Sequence, residues 1–294
     1  MTRVWIGLAL GCGMIAACGG TPPFGGPAAE TGADTSEGSV FAENEAQFIR
    51  LNNISYDAGT DTLRLNNLPF DDEDNVYVRI PGAALAGDFD AYESRRDDPG
   101  EVQYFAIFKR STSGLTQVAS ANTTQYSEFG YGGAGAQRIA GGAPALPTDN
   151  AIYVFTGSYA GVRTTTNVAG VDDANFVTGD AEIRADFGDF DDTGTVGGSI
   201  TDRILYDQNG VALGALSTTI SLEDSEFNRD SGTIVEAQAF EVNTGTGDEE
   251  RRGNWSGVVA GPGATEVAGY IVVQNGNGTA DGEIREVGGF ITER

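Results

Sequence analysis

Histidine is absent from all 294 residues of this chain. That removes histidine-dependent triads, histidine general bases, imidazole metal sites and the usual haem ligand together. Lysine occurs once, as Lys109, and cysteine twice, as Cys12 and Cys18. No Gly-x-Ser-x-Gly elbow is present and no zinc ligand set can be assembled. Carboxylates lie near one another throughout so acidic a chain, so their pairing says nothing about glycoside hydrolysis. Helical periodicity is scarce, with Ala83–Tyr92 alone suggesting one short turn. These gaps lead us to expect neither an enzyme nor a cofactor or metal protein.

What is abundant is glycine, 43 residues of it, with aromatic and β-branched residues spread evenly. That mixture suits an all-β domain with many turns. The formal net charge is −26. It argues against nucleic acid and against anionic lipid heads as partners. A basic partner would suit such a surface. Dispersed acidic residues also serve plain solubility in a salty habitat, and the dispersion favours that second reading.

The N-terminus reads as an address. Met1–Arg3 is a short positive segment, and Val4–Ala17 is mostly apolar but too short to span a bilayer as a helix. It ends in Ile15-Ala16-Ala17-Cys18, which resembles the bacterial lipobox. Residues 1–17 are thus expected to be a lipoprotein signal peptide, and Cys18 to carry the acyl chains (palmitate). Cleavage would remove Cys12 and Arg3, leaving no free thiol and one more unit of negative charge. Residues 18–40 hold the lipidated cysteine and a Gly/Pro/Ser/Thr-rich tether whose ends would lie about 25 Å apart as a coil. The implied location is the bacterial outer membrane, on its periplasmic face or at the cell surface.

Residues 41–150 carry fainter signals. Ile54–Tyr56 and Thr62–Leu65 flank Asp57-Ala58-Gly59-Thr60 and predict a hairpin. The triplet Leu-Asn-Asn at 51–53 and 65–67 marks its matching ends. Val76–Ile80 and Val102–Lys109 are further strand candidates. Gly130-Tyr131-Gly132-Gly133-Ala134-Gly135 matches G-x-G-x-x-G, but Gly141, Gly142 and Pro144 interrupt any following helix. The dinucleotide reading falls. The stretch is expected to be a flexible loop anchored by Phe129 and Tyr131, or a junction between the halves.

From Ala151 onward eight strand-like segments follow: Ile152–Arg163, Phe176–Phe187, Thr195–Asp202, Ala215–Leu222, Thr233–Val242, Asn254–Gly261, Thr265–Gln274 and Gly282–Thr292. In the second, Gly179, Ala181, Ile183, Ala185 and Phe187 share one face, and Asp180, Glu182 and Arg184 the other. Asp191–Gly194, Gln208-Asn209-Gly210, Pro262-Gly263 and Asn275–Gly278 supply turns. The pattern predicts an eight-stranded antiparallel up-and-down β-barrel over 151–294, preceded by a smaller β-rich subdomain over 41–150. Small inward residues would let Ile183, Phe187, Trp255 and Phe290 fill a narrow lumen. Binding would then fall on loops and outward faces, with Arg184, Tyr131 and Tyr159 as candidate anchors. Glu266–Tyr270 and Glu286–Phe290 share the pattern Glu-Val-small-Gly-aromatic, as successive strands of similar role would.

Several pieces of this second half resemble one known family. They are Gly157-Ser158-Tyr159, Ala185-Asp186-Phe187, Gly198-x-Ile200, Trp255-Ser256-Gly257, Gly261-Pro262, Ala264-x-Glu266-Val267-Ala268-Gly269 and Gly289-Phe290. In this order, over roughly residues 150 to 294, they resemble the transferrin-binding protein B β-barrel domain, a module of bacterial surface lipoproteins, with Trp255–Gly269 like its closing strands. The resemblance implies one lobe: a handle-like subdomain, then a barrel. It implies a macromolecule-binding module accessory to nutrient acquisition, with a protein partner such as an outer-membrane receptor or translocator. The alternative is a structural envelope lipoprotein with no dedicated ligand. Single-lobe relatives bind different partners on the same barrel, so the fold does not name the ligand.

Two acidic motifs compete for a cation. Asp189-Phe190-Asp191-Asp192-Thr193-Gly194 spaces oxygens as a calcium loop does, but its twelfth position is Ile200, without the bidentate glutamate. Asp71-Asp72-Glu73-Asp74 reads as a solvated acidic loop. Neither is assigned as a metal site.

Overall fold

The computed structural model describes residues 40–42, 49–51, 53–66, 68, 71, 76–94, 102–124, 132–139, 144–149, 151–166, 173–188, 194–276, 280 and 282–294. Cys18, its tether up to residue 39, Phe129–Tyr131 and the Asp189–Thr193 motif lie outside them. Within the described residues the chain is all-β apart from one 3₁₀ turn at Ala86–Asp88, which falls where the short helical turn is expected.

The first sheet comprises Val40–Phe41 (β1), Ile49–Arg50 (β2), Ile54–Asp57 (β3), Thr62–Leu65 (β4), Tyr77–Arg79 (β5), Asp90–Ser94 (β6), Phe105–Arg110 (β7), Thr116–Asn122 (β8) and Gly132–Arg138 (β9). From β3 to β9 each strand runs antiparallel to the one before. On the far edge of β9, β1 pairs antiparallel and β2 parallel. The expected β3–β4 hairpin forms, and Asn66 N–H donates to the Asn53 carbonyl at 3.3 Å, so one asparagine from each Leu-Asn-Asn triplet meets the other at its open end. The glycine-rich stretch departs from expectation. Gly132–Arg138 is a buried strand and not a flexible loop. Its glycines serve close packing: a Cβ on Gly132 would fall 2.5 Å from Asn122 Oδ1.

The second sheet contains Ile152–Thr165 (β10), Asp173–Asp186 (β11), Thr195–Tyr206 (β12), Ala212–Ala215 (β13), Thr218–Asn228 (β14), Thr233–Asn243 (β15), Glu249–Ala260 (β16), Glu266–Gln274 (β17) and Ile284–Glu293 (β18). Eight of them close in the order β10-β11-β12-β14-β15-β16-β17-β18 and back to β10. This is the predicted up-and-down barrel, and all eight predicted segments are strands. One departure is instructive. The strand expected at Ala215–Leu222 is divided, with β13 pairing only β12 and β14 completing the wall. The cause lies in β12, whose Asp202 has φ of 50°, outside the extended range. Below that kink β12 pairs with β14, and above it with β13.

The turn at Gly261–Ala264 forms as its residues dictate. Ala264 N–H donates to the Gly261 carbonyl at 3.1 Å, and Gly263 takes φ of 70°, the i+2 position of a type II turn after proline.

Among the described residues three apolar cores result. One fills the lumen, with Phe155, Phe187, Phe227, Trp255 and Phe290 among its members. A second lies inside the curl of the first sheet, around Leu63, Tyr77, Tyr92 and Phe108. The third joins the sheets: Ile107, Val118 and Phe89 of the first pack on Val162, Tyr270 and Val287 from the outer wall of the barrel. The first sheet therefore covers the outside of β10 and β16–β18. Burying each such large side chain stabilises by about 1.5–3 kcal/mol.

The Glu-Val-small-Gly-aromatic echo has a different meaning from the one expected. In the β17–β18 register Gly269 faces Phe290 and Tyr270 faces Gly289. Phe290 points into the lumen, where its ring occupies the place a Cβ on Gly269 would need, 2.3 Å away. Tyr270 points outward into the inter-sheet core, and Glu266 and Glu286 likewise take opposite faces. The two copies play inverse roles.

Candidate binding surface

The lumen is divided along its axis. Toward the β16–β17 turn it is apolar. Toward the opposite end inward positions in the same alternating phase carry charge: Arg163 follows Tyr159 by four residues, Arg251 precedes Trp255 by four, and Glu286 precedes Phe290 by four. Arg203 donates to Glu241 Oε1 at 2.7 Å and to both oxygens of Glu286 at 2.7 and 2.6 Å. Arg163 bridges the same two carboxylates at 3.1 and 2.8 Å, and Arg251 reaches Glu241 Oε2 at 2.8 Å. Thr218 and Tyr159 complete the set, donating to Glu241 and Glu286.

Burial alone would raise both carboxyls. Arg203 and Arg163 overcome it and hold Glu241 and Glu286 below the usual carboxylate range. Burial and the Glu286 charge push the Tyr159 phenol well up, so it stays a neutral donor. Every charge here is consumed by another. Carboxylates so paired have no proton to donate at neutral pH.

Tyr159 is thus no partner-facing anchor. It is fully buried, and the alternation that places Phe155 inward places Tyr159 inward also. Tyr131 lies outside the described residues. Arg184 is where the strand pattern puts it, exposed and paired with Glu182 at 2.8 Å.

Three features mark the uncovered outer wall. A groove of about 510 Å3 crosses β15–β17 at the barrel rim, lined on the outside by Gln238, Arg252, Asn254 and Gln274 and reaching Glu250 and Arg251 of the charged end of the lumen. Arg252 lies between Glu249 (2.7 Å) and the Phe240 ring (6.0 Å to its centre), and Asn254 donates to Glu236 at 2.8 Å. The second feature is apolar. Ile152 and Val154 stand exposed at the start of β10, beyond the last β18 pairing at Thr156. The third is the β12–β13 hairpin, where Val211 and Leu213 are 60% and 57% exposed. Among the described residues no group of three or more acidic, cysteine or histidine side chains could hold a metal. Only Asp71 of the 71–74 cluster is described, and it accepts a hydrogen bond from the buried Tyr77 hydroxyl at 2.7 Å.

No family model and no curated protein matches this chain. Solved structures do. A double mutant of the vaccine antigen transferrin-binding protein B from Haemophilus parasuis Hp5 matches over 81% of this chain and 43% of its own, at 13% identity and a TM-score of 0.40. Intact Ap-TbpB, with its N and C lobes, matches over 85% and 46%, at 14% identity and a TM-score of 0.37. A structure described as a surface lipoprotein matches over 87% of this chain and 98% of its own, at 14% identity and a TM-score of 0.35. This chain thus spans less than half the length of the two transferrin-binding protein B chains.

Proposed function

We propose that this chain is a lipid-anchored surface protein of the bacterial outer membrane whose barrel is a macromolecule-binding module, accessory to nutrient acquisition. The filled lumen carries this reading. Trp255 and Phe290 occupy one end and the Arg–Glu cluster the other, which leaves the outer wall as the surface for a ligand. Part of that wall is covered by the first sheet. The remainder offers the β15–β17 groove, the apolar start of β10 and the β12–β13 hairpin to a protein. Binding, and not catalysis, is the chemistry such a surface supports. Cys18 would tether the protein, and the segment after it would hold the barrel away from the bilayer.

Capture from envelope extracts tests the reading. One stoichiometric protein partner, for instance an outer-membrane receptor or translocator, is the expected result. Repeated failure to capture any partner would overturn it in favour of a structural envelope lipoprotein without a dedicated ligand.

A further inference from the structure

The short strand β13 sits at an edge. Its four residues pair only with β12, and among the described residues its other side has no neighbour. The register shifts between Leu205 (paired with Gly214) and Tyr206 (paired with Ala212), which leaves Leu213 with no partner on β12. Residues 211–215 are all exposed, and 211–216 (VALGAL) contain no charge and no proline. A bare edge of this kind presents backbone N–H and C=O groups as a template for another chain.

The edge is also held in place. Asp207 Oδ1 accepts the N–H groups of Asn209 and Val211 at 2.8 and 2.9 Å, which fixes the turn. Gly210 lies against the first sheet, where an added Cβ would fall 2.7 Å from the Ala83 Cα. At the other end Leu216 packs on the lumen core and donates its N–H to the Arg203 carbonyl at 2.8 Å. Because both ends are fixed, a strand docking here orders little of this protein.

Charge selects the occupant. The acids beside the edge are Asp207, in the β12–β13 turn, and Asp202, two residues before the first β12 residue that pairs with β13, and residues 204–228 hold no basic residue. Arg203 itself is buried and consumed in the lumen, while Asp202 beside it is exposed. A second copy of this chain would bring the same acids and a net charge of −26 to the contact. We infer that β13 is a strand-addition site that takes an extended, basic segment of a partner protein, its apolar side chains meeting Val211 and Leu213 and its backbone extending the sheet. This assignment rests on the binding-module reading and names the class of partner.

The test uses the full chain and a dye-labelled hexapeptide of alternating lysine and valine, read by fluorescence anisotropy. Its control is the same peptide N-methylated at every residue, which keeps charge and side chains but removes the backbone donors. Leu213→Lys places a charge on the edge, and Ile152→Lys places the same charge on the exposed apolar start of β10. Wild type should bind the unmodified peptide at least tenfold more tightly than the methylated one. Leu213→Lys should lose at least tenfold and Ile152→Lys less than twofold. Equal binding of the methylated peptide, equal losses in the two variants, or no binding by wild type would each overturn the assignment. Capture from envelope extract separates it from the broader reading. A partner retained equally by wild type and Leu213→Lys overturns the edge site and leaves the binding module standing. Edge-dependent peptide binding with no captured partner does the reverse.

Discussion

Replacing Glu286 with glutamine is the sharpest probe of the barrel interior. In the wild type three guanidinium groups, Arg163, Arg203 and Arg251, meet two carboxylates, Glu241 and Glu286, all inside the wall. Glu250, partly exposed at the rim, offsets Arg251 at 3.1 Å, so the cluster is balanced and Glu286→Gln would leave one excess positive charge inside the wall. Arg203 and Arg163 would then face each other across a neutral amide with only Glu241 between them. Breaking a buried ion pair by removing one partner costs about 3–5 kcal/mol, because the remaining charge stays desolvated. Arg203→Met acts in the opposite direction on the balance. It leaves each buried carboxylate with an arginine, Glu286 on Arg163 (2.8 Å) and Glu241 on Arg251 (2.8 Å) and Thr218 (2.6 Å), so it should cost less than Glu286→Gln. Urea unfolding at pH 7 ranks the two.

Acid supplies a second readout. Glu286 and Glu241 titrate below their unfolded values, so their stabilisation is complete above about pH 4.5 and is lost as pH falls toward their folded values. Glu286→Gln removes one of the two groups and should flatten the loss of stability between about pH 4.5 and 3. If Glu286→Gln costs less than about 1 kcal/mol, as an exposed pair would, the cluster does not stabilise the lumen. An unchanged acid slope or a larger cost for Arg203→Met would refute the charge accounting.

Phe187→Ala empties part of the apolar lumen, where the ring stacks 4.9 Å from Phe227, and should cost about 3–5 kcal/mol, whereas the exposed Arg184→Glu should stay within about 0.5 kcal/mol; thermal melts that reverse this order would invert the face assignment. A fragment covering 151–294 contains every pairing of the closed barrel, so it should unfold cooperatively. The same fragment uncovers Val162, Tyr270 and Val287, and should bind a hydrophobic dye and self-associate where the full chain does not. A fragment with no cooperative transition would show that the first sheet is needed to close the second. Cys18→Ser should abolish incorporation of a tagged fatty acid and release the protein from membranes; a wild type that takes up no label would end the lipoprotein reading.

The eight barrel strands were legible because a strand half-buried on one face must alternate, and β11 alternates from Gly179 to Asp186. Turn positions were legible for a similar local reason, since proline presets φ and glycine accepts the positive φ seen at Gly263 and Gly210. The first sheet was harder to read. Strands β8 and β9 are buried on both faces by cores on either side, so alternation disappears and Gly132–Arg138 looks like a loop. Non-local packing also set the sense of individual side chains. Glu266 and Glu286 occupy the same place in one pentapeptide pattern, yet one accepts hydrogen bonds from Ser113 and Thr116 of the first sheet and the other lies inside the barrel. Spacing from Phe290 and Trp255 already put Glu286 and Arg251 in the inward phase, and only barrel closure brought five such charges within hydrogen-bonding distance. The free edge of β13 had no counterpart in the sequence. It follows from the kink at Asp202, where one strand leaves a neighbour and takes another. Local chemistry chose strands and turns in this protein, and closure of the sheet decided which residues met.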